Sequence, residues 1–158
     1  MKIELQPIGV VRSQFTESAG TPVQPRTAQG TTATAEIDPQ YAGGLWRLEG
    51  FERVWLVTWL DRSAACRLRV KPYLADTECG VFATRAPSRP NPIGLSCVRL
   101  VRIEGTTLRL AEVDLLDGTP LLDIKPYAPR FDSYPDARAG WLDDVVVDSQ
   151  TADGRFES

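Results

Sequence analysis

Hydrophobic and polar residues alternate over short stretches of the chain, and that period of two predicts strands rather than helices. Residues 3–12 alternate imperfectly and are rich in β-branched side chains, while residues 31–37 (TTATAEI) form a clean run of strand formers. Residues 54–60 (VWLVTWL) are apolar enough to predict a fully buried strand. Further strands are predicted over 80–84, 96–103 and 107–115, with Gly105-Thr106 placed to turn a hairpin between the last two. A short helix is predicted over 39–48: Asp38 stands as N-cap, Pro39 takes the first helical position, and Gly43-Gly44 limits its length. Many short strands punctuated by Gly and Pro predict a mainly β fold, a sandwich or a small β-barrel with one or two short helices.

At 158 residues the chain suits one domain, predicted over 1–148, with a polar, frayed tail over 149–158. No run approaches the ~20 apolar residues needed to cross a bilayer, and the first five residues do not form a signal peptide. A soluble, cytoplasmic protein is the expectation. Histidine is absent, which excludes Ser-His-Asp and Cys-His nucleophile systems, imidazole bases and histidine metal sites. Cys66, Cys79 and Cys97 lie 13 and 18 residues apart, an odd set with no C-x-x-C pair, so reduced structural thiols and no metal are expected. The chemistry then rests on an organic cofactor, on carboxylates, or on positioning.

Charge changes this picture. Residues 62–103 carry eight basic side chains against Asp76 and Glu78, a net +6, although the whole chain is at −3. Such asymmetry suits a phosphate-bearing ligand or RNA, or else arginines scattered over solvated strand faces. Within that segment Pro87, Pro90 and Pro92 stiffen a loop carrying Arg85, Ser88, Arg89 and Asn91, as a binding site requires; an edge segment that blocks aggregation is the structural alternative. Asp117-Gly118 reads as a turn. Asp114 lies in a β run among apolar residues and needs a partner, either an arginine of the Pro-rich loop or a ligand. Trp46, Trp55 and Trp59 read as core.

The strings IGVVRS (8–13), Gln24-Pro25, Gly50-Phe51 with Trp55, GVFATR (80–85), RPNPIG (89–94), LDGTP (116–120) and DIKPYAP (123–129) together resemble the tRNA methyltransferase O, or TsaA-like, family. The resemblance implies a non-Rossmann β-barrel, a homodimer, and transfer of a methyl group from S-adenosyl-L-methionine to N6 of N6-threonylcarbamoyladenosine beside the tRNA anticodon. Carried onto matching positions, it implies cofactor contacts at Pro25, Arg26, Thr27, Asp61, Arg62, Arg85, Leu95, Ala111, Glu112, Val113 and Asp114. Two departures stand out: Asp61 occupies a position where many members have histidine, and the further C-terminal domain common in bacterial members is not recognisable in this chain. A non-catalytic cofactor-binding module, or a methyltransferase acting on another nucleoside or a small molecule, is the alternative.

Methyl transfer from a sulfonium needs neither metal nor imidazole, because the leaving group is neutral and alignment does most of the work. The delocalised N6 lone pair must be localised by an acceptor facing its N–H. The Asn91 side-chain oxygen or a carbonyl of Asn91-Pro92 is assigned that task, with Asp114 as the alternative proton acceptor. Arg89 is assigned to the threonyl carboxylate, and Arg85 to the carboxylate or adenosine of the cofactor.

Overall fold

The computed structural model describes residues 1–145, so the predicted tail over 149–158 lies outside the described residues. Six strands close an antiparallel barrel in the order β1-β2-β7-β6-β3-β8. They are β1 (Gly9–Ser13), β2 (Thr32–Ile37), β3 (Arg53–Trp59), β6 (Ile93–Glu104), β7 (Thr107–Ala111) and β8 (Pro120–Pro126). Closure leaves no unpaired sheet edge around the ring. Two further strands, β4 (Arg69–Val70) and β5 (Cys79–Gly80), pair with each other outside the barrel. The single α-helix among the described residues is one turn, Pro129–Asp132.

Inward-pointing residues of all six strands fill the barrel, among them Val11, Ala35, Leu56, Val98, Leu108 and Leu121, each fully buried. Truncating one such leucine to alanine costs on the order of 2–5 kcal/mol in a core of this kind. The long segment between β3 and β6 forms its own small core from Val70, Val81 and Ala86, with Tyr73 packed against it. That segment carries the Pro-rich loop, and it is stitched to the barrel where Leu60 N donates to Pro92 O at 2.7 Å.

Four expectations need correction. β3 is not buried on both faces: its even residues point into the barrel while Arg53, Trp55, Val57 and Trp59 remain half-buried outside. Trp46 is 83% exposed rather than core, because the residues around it form 3-10 turns that carry it away from the barrel. The predicted helix over 39–48 is a 3-10 segment, Pro39–Leu45, although Asp38 does cap it by accepting from Gln40 N at 3.0 Å. The predicted strand over 80–84 survives only at Gly80; Val81–Ala83 winds into a 3-10 turn closed by Thr84 Oγ1 donating to Val81 O. The β6–β7 hairpin does turn at Gly105, whose φ of 62° suits glycine. Asp117-Gly118 also turns, with Asp117 Oδ1 accepting from Ser13 N. None of the three cysteines is fully buried: Cys66 is exposed and the others are half-buried.

Candidate functional site

The Pro-rich loop enters β6 through Gly94, where a methyl group would meet Thr58 Oγ1 at 2.5 Å and Leu60 Cδ2 at 3.0 Å. Only a residue without Cβ lets the loop lie this close to the end of β3. Inside the loop Arg89 acts as a clasp. Its Nη1 donates to three carbonyls, Val81 O at 3.0 Å, Thr84 O at 2.8 Å and Ala86 O at 3.3 Å. The loop is thus fixed by proline rings and by one guanidinium whose Nη1 is already committed to the scaffold. The sequence assigns Arg89 to a substrate carboxylate; the structure gives it a positioning task first. Removing the clasp leaves the Thr84 and Ala86 carbonyls short of a donor, each worth about 1 kcal/mol, while Val81 O keeps the amide and hydroxyl of Thr84. Arg89→Ala is therefore expected to lower the thermal midpoint by about 4–8 °C, measured by calorimetry or circular dichroism.

Arg85, on the same loop, reaches back to the first part of the chain and donates through Nη1 to Gln24 Oε1 at 2.7 Å. Gln24 opens the 3-10 turn Pro25–Thr27, which packs beside β6. Pro25 is buried, Thr27 is half-buried with its hydroxyl bonded to Gln24 O, and Arg26 is exposed. Thr31, just beyond that turn, ties it to the end of β7: its hydroxyl accepts from Val113 N at 3.0 Å, and its carbonyl accepts from Glu112 N. Three segments distant in sequence therefore meet at one end of the barrel.

Asp114 sits among them, just past the end of β7 rather than within a strand. Ser96 Oγ donates to its Oδ1 at 2.7 Å, and Arg85 of the Pro-rich loop acts on it through charge. Some of its surface stays open, yet the surrounding protein strips water from the carboxyl and pushes its pKa up to about 7. The Ser96 hydroxyl, a backbone N–H and the positive charge of Arg85 pull the other way without cancelling that effect. Near neutral pH the group stands between a neutral acid and an anion, a property associated with functional carboxylates.

The rest of 111–114 offers backbone rather than side chains. Ala111 and Val113 are buried against the barrel. Glu112 takes the left-handed conformation, φ 59°, and turns its carboxylate to Arg53 Nη2 at 2.5 Å. A non-glycine residue held at positive φ is a local cost, and such costs concentrate at binding sites. Asp61 and Arg62 lie just past the end of β3. Arg62 donates to the carbonyls of Thr16 and Asp117, bracing two neighbouring loops, and Asp61 is exposed. Leu95 lies on the outside of β6 and is 55% exposed. Asn91 is exposed at the loop's end. Its carbonyl already accepts from Ile93 N at 2.7 Å and that of Pro92 from Leu60 N, while the Asn91 side-chain oxygen is the acceptor not yet committed to the scaffold.

Sequence reading missed two members of this arrangement. Ser96 is a hydroxyl on the inward phase of β6, alternating with Val98 and Leu100, and that break in an apolar stripe was the available signal. Gln24 is marked only as part of the Gln24-Pro25 string that carries the family resemblance. Among the described residues no cluster of acidic or cysteine side chains is arranged to hold a metal, and no helix is long and apolar enough to cross a membrane.

Residues 10–133 match the family model of the tRNA-methyltransferase O N-terminal domain. A probable S-adenosyl-L-methionine-binding protein of Pyrococcus abyssi is 46% identical over 155 residues, covering 97% of this chain and 84% of its own. A tRNA (adenine(37)-N6)-methyltransferase of Mus musculus is 38% identical over 137 residues, covering 81% of this chain but 31% of its own. The crystal structure of TrmO from Pseudomonas aeruginosa superposes with a TM-score of 0.75 at 42% identity, covering 89% of this chain and 63% of that one. The chain thus spans less than two thirds of the solved TrmO chain and about a third of the mouse enzyme.

Proposed function

The chain belongs to the tRNA-methyltransferase O family, and from that premise we propose that it is an S-adenosyl-L-methionine-dependent tRNA methyltransferase acting on N6 of N6-threonylcarbamoyladenosine. The observation that carries this reading is the meeting of the Pro25–Thr27 turn, Arg85 and Asp114 at one barrel end. These groups fit a ligand that is cationic at sulfur and amine and anionic at carboxylate. Asp114 supplies an acid that ionises near neutrality, and Arg26 and Arg85 supply cations. Bound there, S-adenosyl-L-methionine supplies a methyl group on a sulfonium whose departure leaves a neutral thioether.

The chain's own residues do the rest. The proline-stiffened loop holds Asn91 in place, so that its side-chain oxygen can accept a hydrogen bond from the N6–H and bring the lone pair to bear on an acceptor carbon, and the N6 proton released in the transfer passes to solvent water. A second copy of the chain is the proposed partner, held through the outer sheet face where Trp55, Val57 and Trp59 pair with Cys97, Leu95 and Ile93. Leu95 and Ile93 are 55% and 42% exposed in the single chain, and burying such apolar area drives association.

The test is incubation with methyl-labelled cofactor and tRNA, with and without the threonylcarbamoyl group, followed by nucleoside mass spectrometry. Label is expected on N6 of the threonylcarbamoylated adenosine alone. Cofactor binding without transfer to either tRNA would instead favour a binding module, the reading suggested by the name of the Pyrococcus relative.

A further inference from the structure

Phe82 is 76% exposed, an unusual position for a large aromatic ring on a rigid loop. It occupies the middle of the Val81–Ala83 turn, and that turn is pinned from two sides. Arg89 clasps the carbonyl of Val81 on one side. Trp141 Nε1 donates to Ala83 O at 2.8 Å on the other. The Arg89 guanidinium carbon also lies 5.9 Å from the Phe82 ring centroid, within cation–π range. The fold thus holds a ring in place and leaves most of it uncovered.

The charge around it is not neutralised. Arg102, outside the inserted segment, is paired with Glu104, and Arg69 faces Glu78. Arg62, Arg85 and Arg89, by contrast, donate to uncharged oxygens and keep their full charge. Arg67 is exposed and lies beside the Pro-rich loop, its backbone N–H bonded to Ser88 O. The positive excess between β3 and β6 therefore survives folding, in the segment that carries Phe82 and the candidate cofactor contact Arg85.

We propose that Phe82 is a stacking platform for an unpaired RNA base, with Arg67 and Arg85 of the same segment as phosphate contacts. This rests on the tRNA methyltransferase reading and extends it to a recognition surface. A flat aromatic face accepts any base, while cations alongside neutralise the backbone. The unpaired bases of an anticodon loop are the chemistry this pairing suits.

The experiment titrates the full chain into a fluorescent anticodon stem-loop RNA at several salt concentrations, with cofactor affinity measured separately by calorimetry. Phe82→Ala is expected to bind RNA about tenfold more weakly, in line with the worth of one stacked base, with the slope of log K against log salt unchanged. Phe82→Tyr keeps a ring and is expected to stay within about twofold of the parent. Arg67→Ala is expected to reduce that slope by about 0.7–0.9, the signature of one lost phosphate contact. The exposed ring makes unfolding of the Ala variant an unexpected result, and a melting curve checks it. Phe82→Ala binding as tightly as Phe82→Tyr overturns the proposal, as does a parent chain that fails to bind the RNA at low salt. Cofactor affinity retained in such a case leaves the methyltransferase reading standing. A stacking effect without cofactor binding would sink that reading and leave this surface intact.

Discussion

Asn91→Ala is expected to slow methyl transfer about 100-fold while leaving cofactor affinity unchanged, the magnitude that accompanies loss of one preorganised hydrogen-bond partner at a reacting centre. The amide side chain is exposed and leaves its acceptor uncommitted, whereas the carbonyls of Asn91 and Pro92 each already accept one hydrogen bond, from Ile93 N and Leu60 N. An exposed side chain contributes little to stability, so the loss should appear in kcat without a shift in melting temperature. Asn91→Asp keeps an acceptor oxygen and is expected to retain more of the rate than the alanine variant. Single-turnover transfer to threonylcarbamoylated tRNA, paired with calorimetric titration of the cofactor, separates the two effects. Near-parental transfer by Asn91→Ala would move the acceptor role elsewhere, with Asp114 next in line.

The barrel was legible because its signals are local. The run of strand formers in β2, the Gly105 hairpin and the Asp117-Gly118 turn each depend on a few adjacent residues, and all three stand in the structure. The misreadings share a different cause. Val81, Phe82 and Ala83 have strand propensity, but Thr84 and Arg89 claim the Val81 carbonyl and wind the backbone into a turn. Residues 54–60 look uniformly apolar because the outward face of β3 carries tryptophan and valine, and composition cannot distinguish a core face from an apolar outer one. Trp46 follows two glycines that release the chain from helical geometry. Arg89 is the instructive case. Its place among prolines marks it as important, but only the three carbonyls it binds separate holding the loop from holding a ligand.

The same limit applies to Asp114, where the sequence demanded a partner and the fold supplied a neutral hydroxyl as hydrogen-bond donor, with Arg85 acting through charge alone. Burial strips water from the carboxyl, and neither the Ser96 hydroxyl nor the charge of Arg85 makes up for it, so the carboxyl keeps its proton up to about 7 instead of the ordinary 3.8. In the unliganded protein this works against stability. The folded chain holds a proton that the unfolded chain releases, so stability falls as pH rises from about 4 to about 7. A cationic ligand reverses the balance, because its positive charge favours the ionised form. Cofactor affinity is therefore expected to rise with pH up to about 7 and to level off above it, with proton release on binding below that point. Asp114→Asn keeps the Ser96 contact but carries no charge. It is expected to bind the cofactor about 10- to 100-fold more weakly at about pH 8, where loss of a charge-assisted contact is felt in full. Its affinity should be flat between about pH 5 and 8, and its unliganded stability should no longer decline over that range. Calorimetry in buffers of different ionisation enthalpy reads the affinity and the proton count together. A parent protein whose affinity does not change across that interval would remove Asp114 from the charge balance of the site and leave Ser96 and Asp114 as a purely structural pair.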